Sequence, residues 1–117
     1  MEAPAPIKPP IRKEDLDRID IRVGTILAVE EVPRSDRLVR LVVDFGDHRR
    51  TILAGLKRER DPGAIEGRQT LFVVNLAPRP MMGEVSEGML FDLGYADGVP
   101  PALAVPERPV PNGTRAG

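Results

Sequence analysis

An alternation of apolar and polar side chains in one central segment constrains the fold of this chain more than any other feature. Between residues 38 and 45, the apolar side chains of one parity are Val39, Leu41, Val43 and Phe45, and the polar ones of the other are Arg40 and Asp44. A period of two residues is typical of a strand that buries one face and exposes the other. The segment therefore predicts a half-buried β-strand.

Five short β-rich runs lie along the chain, at residues 21–32, 38–45, 50–56, 69–76 and 89–93. The connection between the third and fourth runs, residues 57–68, is charged and long enough for a short helix. Together they predict an all-β fold, the five-stranded oligonucleotide/oligosaccharide-binding (OB) barrel with a short helix between strands 3 and 4. Another small barrel and a sandwich are the alternatives. The inward parity of the first run changes near Gly24, which predicts either a bulge or a sharp coil of the strand there.

The length of 117 residues suits one domain with a single modest core. Residues 1–10 contain four prolines, so we expect residues 1–14 to form an arm, and a short helical turn is expected over residues 13–18. We assign the OB-fold domain to residues 15–95. Residues 96–117 are proline-rich and are expected to form a C-terminal extension.

The composition argues against several classes of function. The chain has no cysteine, and its one histidine, His48, lies in a predicted turn, so we predict no metal site and no cofactor. Ser35 and Ser86 lack the strand-turn-helix setting of a hydrolase nucleophile, and we predict no catalytic residue. No apolar run approaches the length of a membrane span, and the N-terminus resembles no secretory signal. We therefore expect a cytoplasmic, non-enzymatic binding protein with no membrane partner.

Positive charge is concentrated in the middle of the chain. The net charge of the whole sequence is −1, but residues 34–79 carry ten Lys or Arg against six Asp or Glu, a net of +4. Residues 1–33 carry −2 and residues 80–117 carry −3. This distribution is compatible with a positive face on a nearly neutral protein, and equally with a solvated surface of mixed charge.

The connection at residues 75–89 combines two prolines and two glycines with Met81 and Met82. No periodicity assigns these methionines to the core. Apolar side chains framed by polar ones in a connection indicate a contact surface.

Several motifs follow one another in an order that is typical of one family. They are Asp20-Ile21-Arg22-Val23-Gly24-Thr25-Ile26, Ser35-Asp36-Arg37-Leu38, Val43-Asp44-Phe45-Gly46, Arg50-Thr51-Ile52-Leu53-Ala54-Gly55-Leu56, Asn75-Leu76-Ala77-Pro78 and Met81-x-Gly83-x-x-Ser86-x-Gly88-Met89. With them the chain resembles the tRNA-binding domain family, which occurs at the end of bacterial methionyl-tRNA synthetase and as free-standing dimers. The tail, from Pro106 to Thr114, is similar to the C-terminal extension of the free-standing members, especially the CsaA-like export chaperones.

The resemblance implies a structure-specific tRNA-binding protein. It implies a homodimer in which the N- and C-terminal arms form the interface and two barrels present one basic surface to folded tRNA. Phe45 and Phe72 lie in predicted core strands, so the sequence predicts no stacking platform for single strands. Phosphates and 2′-hydroxyls are the expected contacts.

The expected RNA-binding residues come partly from the resemblance and partly from charge. Ser86 and Met89 match family positions associated with tRNA contact, although Met89 equally suits a core position. Asn75 matches a family asparagine that either contacts RNA or caps the loop backbone. Arg79 and Met81 lie in the loop that leads to Ser86. The candidates for phosphate contacts are Arg37, Arg40, Arg50, Lys57 and Arg58.

Three further interpretations stay open. Arg22 lies within a predicted strand and is expected to pair with a carboxylate such as Asp20 or Asp44. A second function is a CsaA-like chaperone that binds unfolded or export-bound polypeptide around Met81 and Met82. A third is an assembly module that docks onto an aminoacyl-tRNA synthetase. The core motifs favour tRNA, whereas the tail favours the CsaA-like proteins.

Overall fold

A computed structural model of the protein describes residues 3–59 and 61–117. These residues form seven strands, two short helices and one 3₁₀ turn. In chain order they are α1 (Lys13–Asp17), β1 (Ile21–Glu31), β2 (Val39–Asp44), β3 (Arg49–Ala54), α2 (Pro62–Ile65), β4 (Gln69–Val73), β5 (Arg79–Met81), β6 (Glu84–Ser86), β7 (Met89–Leu90) and the 3₁₀ turn (Tyr95–Asp97). The predicted all-β class and the helix between the third and fourth strands are confirmed.

The main sheet contains five antiparallel strands in the order β3-β2-β1-β4-β7. The sheet curls so that the residues before β7 reach β3, at the opposite edge of the sheet. There the backbone N–H of Glu87 donates to the carbonyl of Thr51 at 2.9 Å. This contact brings β3 beside the segment that leads into β7. The architecture is that of the predicted OB barrel.

The bulge in β1 lies at Leu27 and not at Gly24. The register between β1 and β2 shifts between Ile26 and Ala28, so the extra residue falls three positions beyond the predicted one. Gly24 is required for a different reason: a Cβ at this position would lie 2.5 Å from Cγ1 of Val43 and 2.9 Å from Cε1 of Phe45. The glycine therefore lets β1 approach the core side chains closely.

The core lies inside the curled sheet. The alternating residues that predicted β2 are all buried; they are Val39, Leu41, Val43 and, just after the strand, Phe45. They pack with Ile26, Ile52 and Phe72, which have no exposed surface. The rings of Phe45 and Phe72 meet edge to face with centroids 5.5 Å apart, an arrangement that aromatic pairs favour.

The C-terminal extension packs on the barrel of its own chain. Residues 110–116 lie beside the start of β1, where Gly113 N–H donates to the carbonyl of Val23 at 2.7 Å and Val23 N–H donates to Thr114 at 2.9 Å. The Gln69 amide Nε2 donates to the carbonyl of Val110 at 2.6 Å and so ties the same segment to β4. The N-terminal arm, in contrast, is exposed throughout residues 3–12. The dimerisation role of the two arms stays a prediction.

The connection at residues 75–89 contains a β-hairpin that the sequence did not reveal. β5 and β6 pair antiparallel, with Arg79 opposite Ser86 and Met81 opposite Glu84. Both turn residues, Met82 and Gly83, have positive φ (51° and 81°), as a type I′ hairpin turn requires. The hairpin carries several of the candidate site residues.

Candidate nucleic-acid interface

A groove of about 590 Å³ opens where the end of β3, the hairpin, β7 and the 3₁₀ turn meet. Its lining residues are Lys8, Arg37, Leu38, Leu53, Ala54, Gly55, Leu56, Arg79, Met81, Met89, Leu90, Phe91, Asp92, Tyr95 and Ala96. Four of the ten residues predicted for RNA binding, Arg37, Arg79, Met81 and Met89, therefore lie together. They come from three separate parts of the chain.

The two methionines of the groove occupy different environments. Met81 is half-buried and packs against Val32, Leu38 and Leu53, a small apolar cluster beside the main core. Met89 is 38% exposed, whereas its neighbour Leu90 is buried in the main core, as the alternation of a strand requires. Met89 was considered for RNA contact or for a core position, and the structure places it on the groove.

The charged groups of the groove are mainly basic. Among the described lining residues, Lys8, Arg37 and Arg79 are cationic and Asp92 is the one carboxylate. Arg37 donates from Nη1 to the phenolic oxygen of Tyr95 at 3.3 Å. Burial raises the pKa of the Asp92 carboxyl, and a backbone hydrogen bond opposes the shift. The groove therefore combines an apolar floor with an excess of positive charge.

Arg79 is exposed, and within residues 3–59 and 61–117 its guanidinium has no hydrogen bond or ion pair. A guanidinium presents five N–H donors that match the oxygens of a phosphate. Of the predicted arginines, Arg79 is thus the one whose guanidinium donors are not used by any residue that the structure describes.

Arg40 is held by two carboxylates of the same chain. Its Nε and Nη2 donate to the two carboxylate oxygens of Glu84, each at 2.6 Å, and its Nη1 donates to Glu30 at 3.1 Å. These bonds raise the pKa of Arg40, and the same guanidinium lowers the pKa of Glu84. Arg40 is therefore engaged in fastening the hairpin to β2.

Arg50 bridges two backbone segments at the closure of the barrel. Its Nη1 donates to the carbonyls of Val74, at 2.6 Å, and Glu87, at 3.0 Å. Its guanidinium also lies 5.9 Å from the centroid of the Phe45 ring. These contacts give Arg50 an internal role in positioning the segment between the hairpin and β7.

Lys57 and Arg58 pair with the loop between β1 and β2. Lys57 donates from Nζ to the carbonyl of Ser35 at 2.8 Å, and Arg58 forms an ion pair with Asp36. The Lys57 ammonium is half-buried, whereas the Arg58–Asp36 pair is exposed. Exposed pairs of this kind are easily exchanged for another anion.

Ser86 lies beneath the groove wall and not in it. Its side chain is only 2% exposed. The hydroxyl accepts from Leu53 N–H at 3.0 Å and donates to the carbonyl of Gly88 at 2.9 Å. Because a hydroxyl has one proton, its donor is already used inside the protein. The direct hydrogen bond to RNA that we expected is not available in this conformation, and Ser86 instead connects β3 to the segment before Met89.

Asn75 caps the backbone before β1. Its Oδ1 accepts from Asp20 N–H at 2.9 Å, and its Nδ2 donates to the carbonyl of Arg18 at 2.6 Å. Of the two roles considered for Asn75, the structure therefore shows the backbone cap. Arg22 pairs with Asp20, at 3.0 Å from Nε to Oδ1, as one of its two predicted partners.

Eleven of the fifteen lining residues were not among the predicted ones, and four of these carry a charge or an aromatic ring: Lys8, Phe91, Asp92 and Tyr95. The two aromatic side chains are 43% (Phe91) and 52% (Tyr95) exposed. The sequence contains four Phe and Tyr residues, and the predicted absence of a stacking platform rested on the core positions of two of them, Phe45 and Phe72. Phe91 and Tyr95 were missed because the sequence pattern did not show that their side chains are exposed.

Neither a metal centre nor a membrane span is found in the part of the chain that the structure describes. Its residues contain no group of three or more His, Cys, Asp or Glu side chains placed to hold a metal ion. None of the helices formed by residues 3–59 and 61–117 has the length and apolar character needed to cross a membrane.

The fold and the groove define a small OB barrel with an amphipathic groove in which basic residues predominate. The family model of the putative tRNA-binding domain matches residues 21–115. The chain therefore belongs to the tRNA-binding domain family.

Similar proteins include both synthetases and free-standing proteins. The chain is 46% identical over 94 residues to a methionine–tRNA ligase of Nitrosospira multiformis, covering 80% of the chain and 13% of the ligase. It is 40% identical over 111 residues to that of Nitrosomonas europaea, covering 95% of the chain and 16% of the ligase. The chain thus spans only a small part of these curated relatives.

Two solved structures match over almost the whole chain. A MetRS-related protein from Pyrococcus horikoshii aligns with a TM-score of 0.86 and 31% identity, covering 94% of this chain and 100% of the other. The chaperone CsaA from Bacillus anthracis aligns with a TM-score of 0.79 and 30% identity, covering 93% and 100%.

Proposed function

We propose that this protein is a non-catalytic tRNA-binding protein that contacts folded tRNA through the groove. The observation that carries the proposal is the convergence of Arg37, Arg79 and Lys8 on an apolar floor in a member of the tRNA-binding domain family. Arginines on a rigid barrel suit phosphate oxygens, and the methionines suit the apolar face of a ribose or base. Such a protein would work where tRNA is found, in the cytoplasm.

In this proposal the predicted residues divide into contact and positioning roles. Arg37, Arg79, Met81 and Met89 contact RNA. Ser86, Asn75, Arg40, Arg50 and Lys57 support the surface, because their polar atoms are bound within the chain. Arg58 contributes a phosphate contact at the margin by exchanging its exposed partner, Asp36.

We further propose that the protein is a homodimer whose two barrels present one continuous surface. The exposed N-terminal arm and the residues that follow it favour this, since the large apolar side chains of Ile7, Ile11, Leu16 and Ile19 are each exposed to solvent. Exposed apolar surface of this kind is typical of an interface.

The decisive experiment is filter binding of bulk tRNA at about 50 and about 200 mM salt. We expect binding that weakens steeply with salt and exceeds binding to unstructured RNA of equal length. Arg79→Ala should lower affinity and reduce the slope of log K against log salt by about 0.7 to 0.9, the value for one lost phosphate contact. The matched control is Arg68→Ala, an exposed arginine outside the groove. Equal retention of both RNAs, or an unchanged slope for Arg79→Ala, would contradict the proposal.

Two other candidate functions have specific support. The likeness to the chaperone CsaA, together with the exposed side chain of Met82 beside the half-buried Met81, favours binding of unfolded or export-bound polypeptide. Suppression of aggregation of an unfolded substrate that survives Arg79→Ala would favour this function. The likeness to a segment of methionine–tRNA ligases favours a module that docks onto a synthetase, which a stable co-purifying synthetase would reveal.

A further inference from the structure

The groove presents two exposed aromatic rings next to its arginines. Phe91 and Tyr95 line the groove with Met89, and all three follow one another within seven residues of the chain. Every nucleobase has a flat π-face that stacks on such rings. We propose that Tyr95, with Phe91, receives an unpaired nucleobase of the bound RNA. The proposal deepens, and rests on, the tRNA-binding function proposed above.

The ring of Tyr95 is presented on a hydrogen-bonded turn. Gly94 and Gly98 flank the 3₁₀ turn with φ of +101° and +74°, conformations that favour glycine. Val99 N–H donates to the carbonyl of Gly94 at 3.1 Å and closes the turn. The backbone of the turn thus directs the ring to the groove.

One contact orients the Tyr95 ring at its polar tip. Its phenolic oxygen accepts from Arg37 Nη1 at 3.3 Å. Gly55, which follows β3, lies near the ring without crowding it, since even a Cβ on this glycine would be at an ordinary contact distance of 3.7 Å from Tyr95 Cε2. The ring is thus held at its polar tip while 52% of the residue stays exposed.

The charges around the rings indicate a nucleotide as the occupant. Arg37, Arg79 and Lys8 are the basic lining residues, and among the described residues of the lining only Asp92 opposes them. A nucleotide offers both a base for the rings and phosphates for the guanidinium groups. In a duplex the base faces are stacked on one another, so the subsite selects a nucleotide from a loop or an end.

A single ¹⁹F label tests the subsite directly, because the sequence contains one tyrosine. Protein labelled with 3-fluorotyrosine has one ¹⁹F resonance, which belongs to Tyr95. We would titrate it with a single-stranded tetranucleotide and with an abasic tetranucleotide of the same length and charge. The resonance should move at least several-fold further with the base-bearing oligonucleotide, because stacking on the ring requires a base.

Variants then test the subsite with bulk tRNA. Tyr95→Leu should weaken binding about 10-fold, within the range for one lost stacking contact, whereas Tyr95→Phe keeps the ring and should retain nearly full affinity. Leu27→Ala, an exposed apolar residue of β1 outside the groove, is the matched control and should bind like the wild type.

Three results would overturn the inference. They are equal ¹⁹F shifts with the base-bearing and abasic oligonucleotides, undiminished tRNA binding by Tyr95→Leu, and a resonance that moves with protein concentration alone, which would assign the face to a second copy of the chain. If tRNA binds as proposed and these results are obtained, only the subsite fails. Absence of tRNA binding in the filter assay would remove the proposed function itself.

Discussion

At the scale of single residues, the polar side chains that the sequence singled out divide by where their hydrogen bonds go. Ser86 and Asn75 belong to family motifs, and both satisfy backbone groups of distant segments. A buried backbone N–H without a partner is costly, so a side chain that supplies one is constrained by the fold. These residues support the candidate interface by fixing the backbone on which the contacting side chains stand.

The substitution Ser86→Ala tests this role. It leaves Leu53 N–H and the carbonyl of Gly88 without their present partner in a buried region. We expect the free energy of unfolding to fall by about 1 to 3 kcal/mol, measured by urea denaturation. Val85→Ala, at an exposed neighbour in the same hairpin, should change it by less than about 0.5 kcal/mol. An unchanged midpoint for Ser86→Ala would show that its hydroxyl is dispensable.

Residue type alone did not decide which arginines are free. Arg40 and Arg79 were both predicted to bind RNA, yet Arg40 contacts Glu84, a residue 44 positions away. That pairing depends on the path of the hairpin, which no local pattern specifies. The same holds for Tyr95, whose exposure depends on how the chain turns after β7.

At the scale of secondary-structure elements, the sequence predicted the long strands but not the short hairpin. The four long strands of the main sheet were predicted because each lies in a β-rich run of five or more residues, and alternation identified β2. The hairpin of β5 and β6 was missed because each strand has three residues, Pro80 lies in the first, and the turn uses Met82 at positive φ. Its position depends instead on tertiary contacts, above all the one between Arg40 and Glu84.

We expect this ion pair to hold the hairpin in place as a positioning device. A double-mutant cycle with Arg40→Met and Glu84→Met should give a favourable coupling free energy, because the pair is bidentate and partly shielded from solvent. The exposed pair Lys13–Asp17 is the control and should couple more weakly. Arg40→Met should also weaken tRNA binding while leaving the salt slope unchanged. A slope reduced as in Arg79→Ala would identify Arg40 as a phosphate contact.

Acid should break the ion pair between Arg40 and Glu84. Because Arg40 lowers the pKa of Glu84 below its ordinary value of 4.5, the folded state binds this proton less readily than the unfolded chain. The stabilisation is therefore complete above the unfolded pKa and is lost as the pH falls through the folded value. The pair is intact at neutral pH, which is where the binding comparisons above belong.

At the scale of the whole molecule, the distribution of charge and apolar surface distinguishes the groove from the N-terminal arm, which meet at Lys8. The groove gathers basic residues although the net charge of the chain is −1. The N-terminal arm instead exposes apolar side chains, and Ile7 is 100% exposed. A basic surface suits a polyanion and an apolar arm suits a protein, so we assign RNA binding to the first and self-association to the second.

The oligomeric state tests this division of surfaces. Sedimentation equilibrium should give twice the 12.8 kDa mass of one chain for the wild type. The double substitution Ile7→Glu and Ile11→Glu should raise the dimer dissociation constant at least about 10-fold, since burial of one isoleucine contributes about 1.5 to 3 kcal/mol. Leu27→Glu, at an exposed position of β1, is the control and should remain dimeric. A wild type of 12.8 kDa at every concentration would contradict the dimer, and equal dissociation by both variants would place the interface elsewhere. The arm substitutions should also lower the affinity for tRNA, although no groove residue has changed. One RNA would then engage the single barrel of a monomer instead of the two barrels of a dimer.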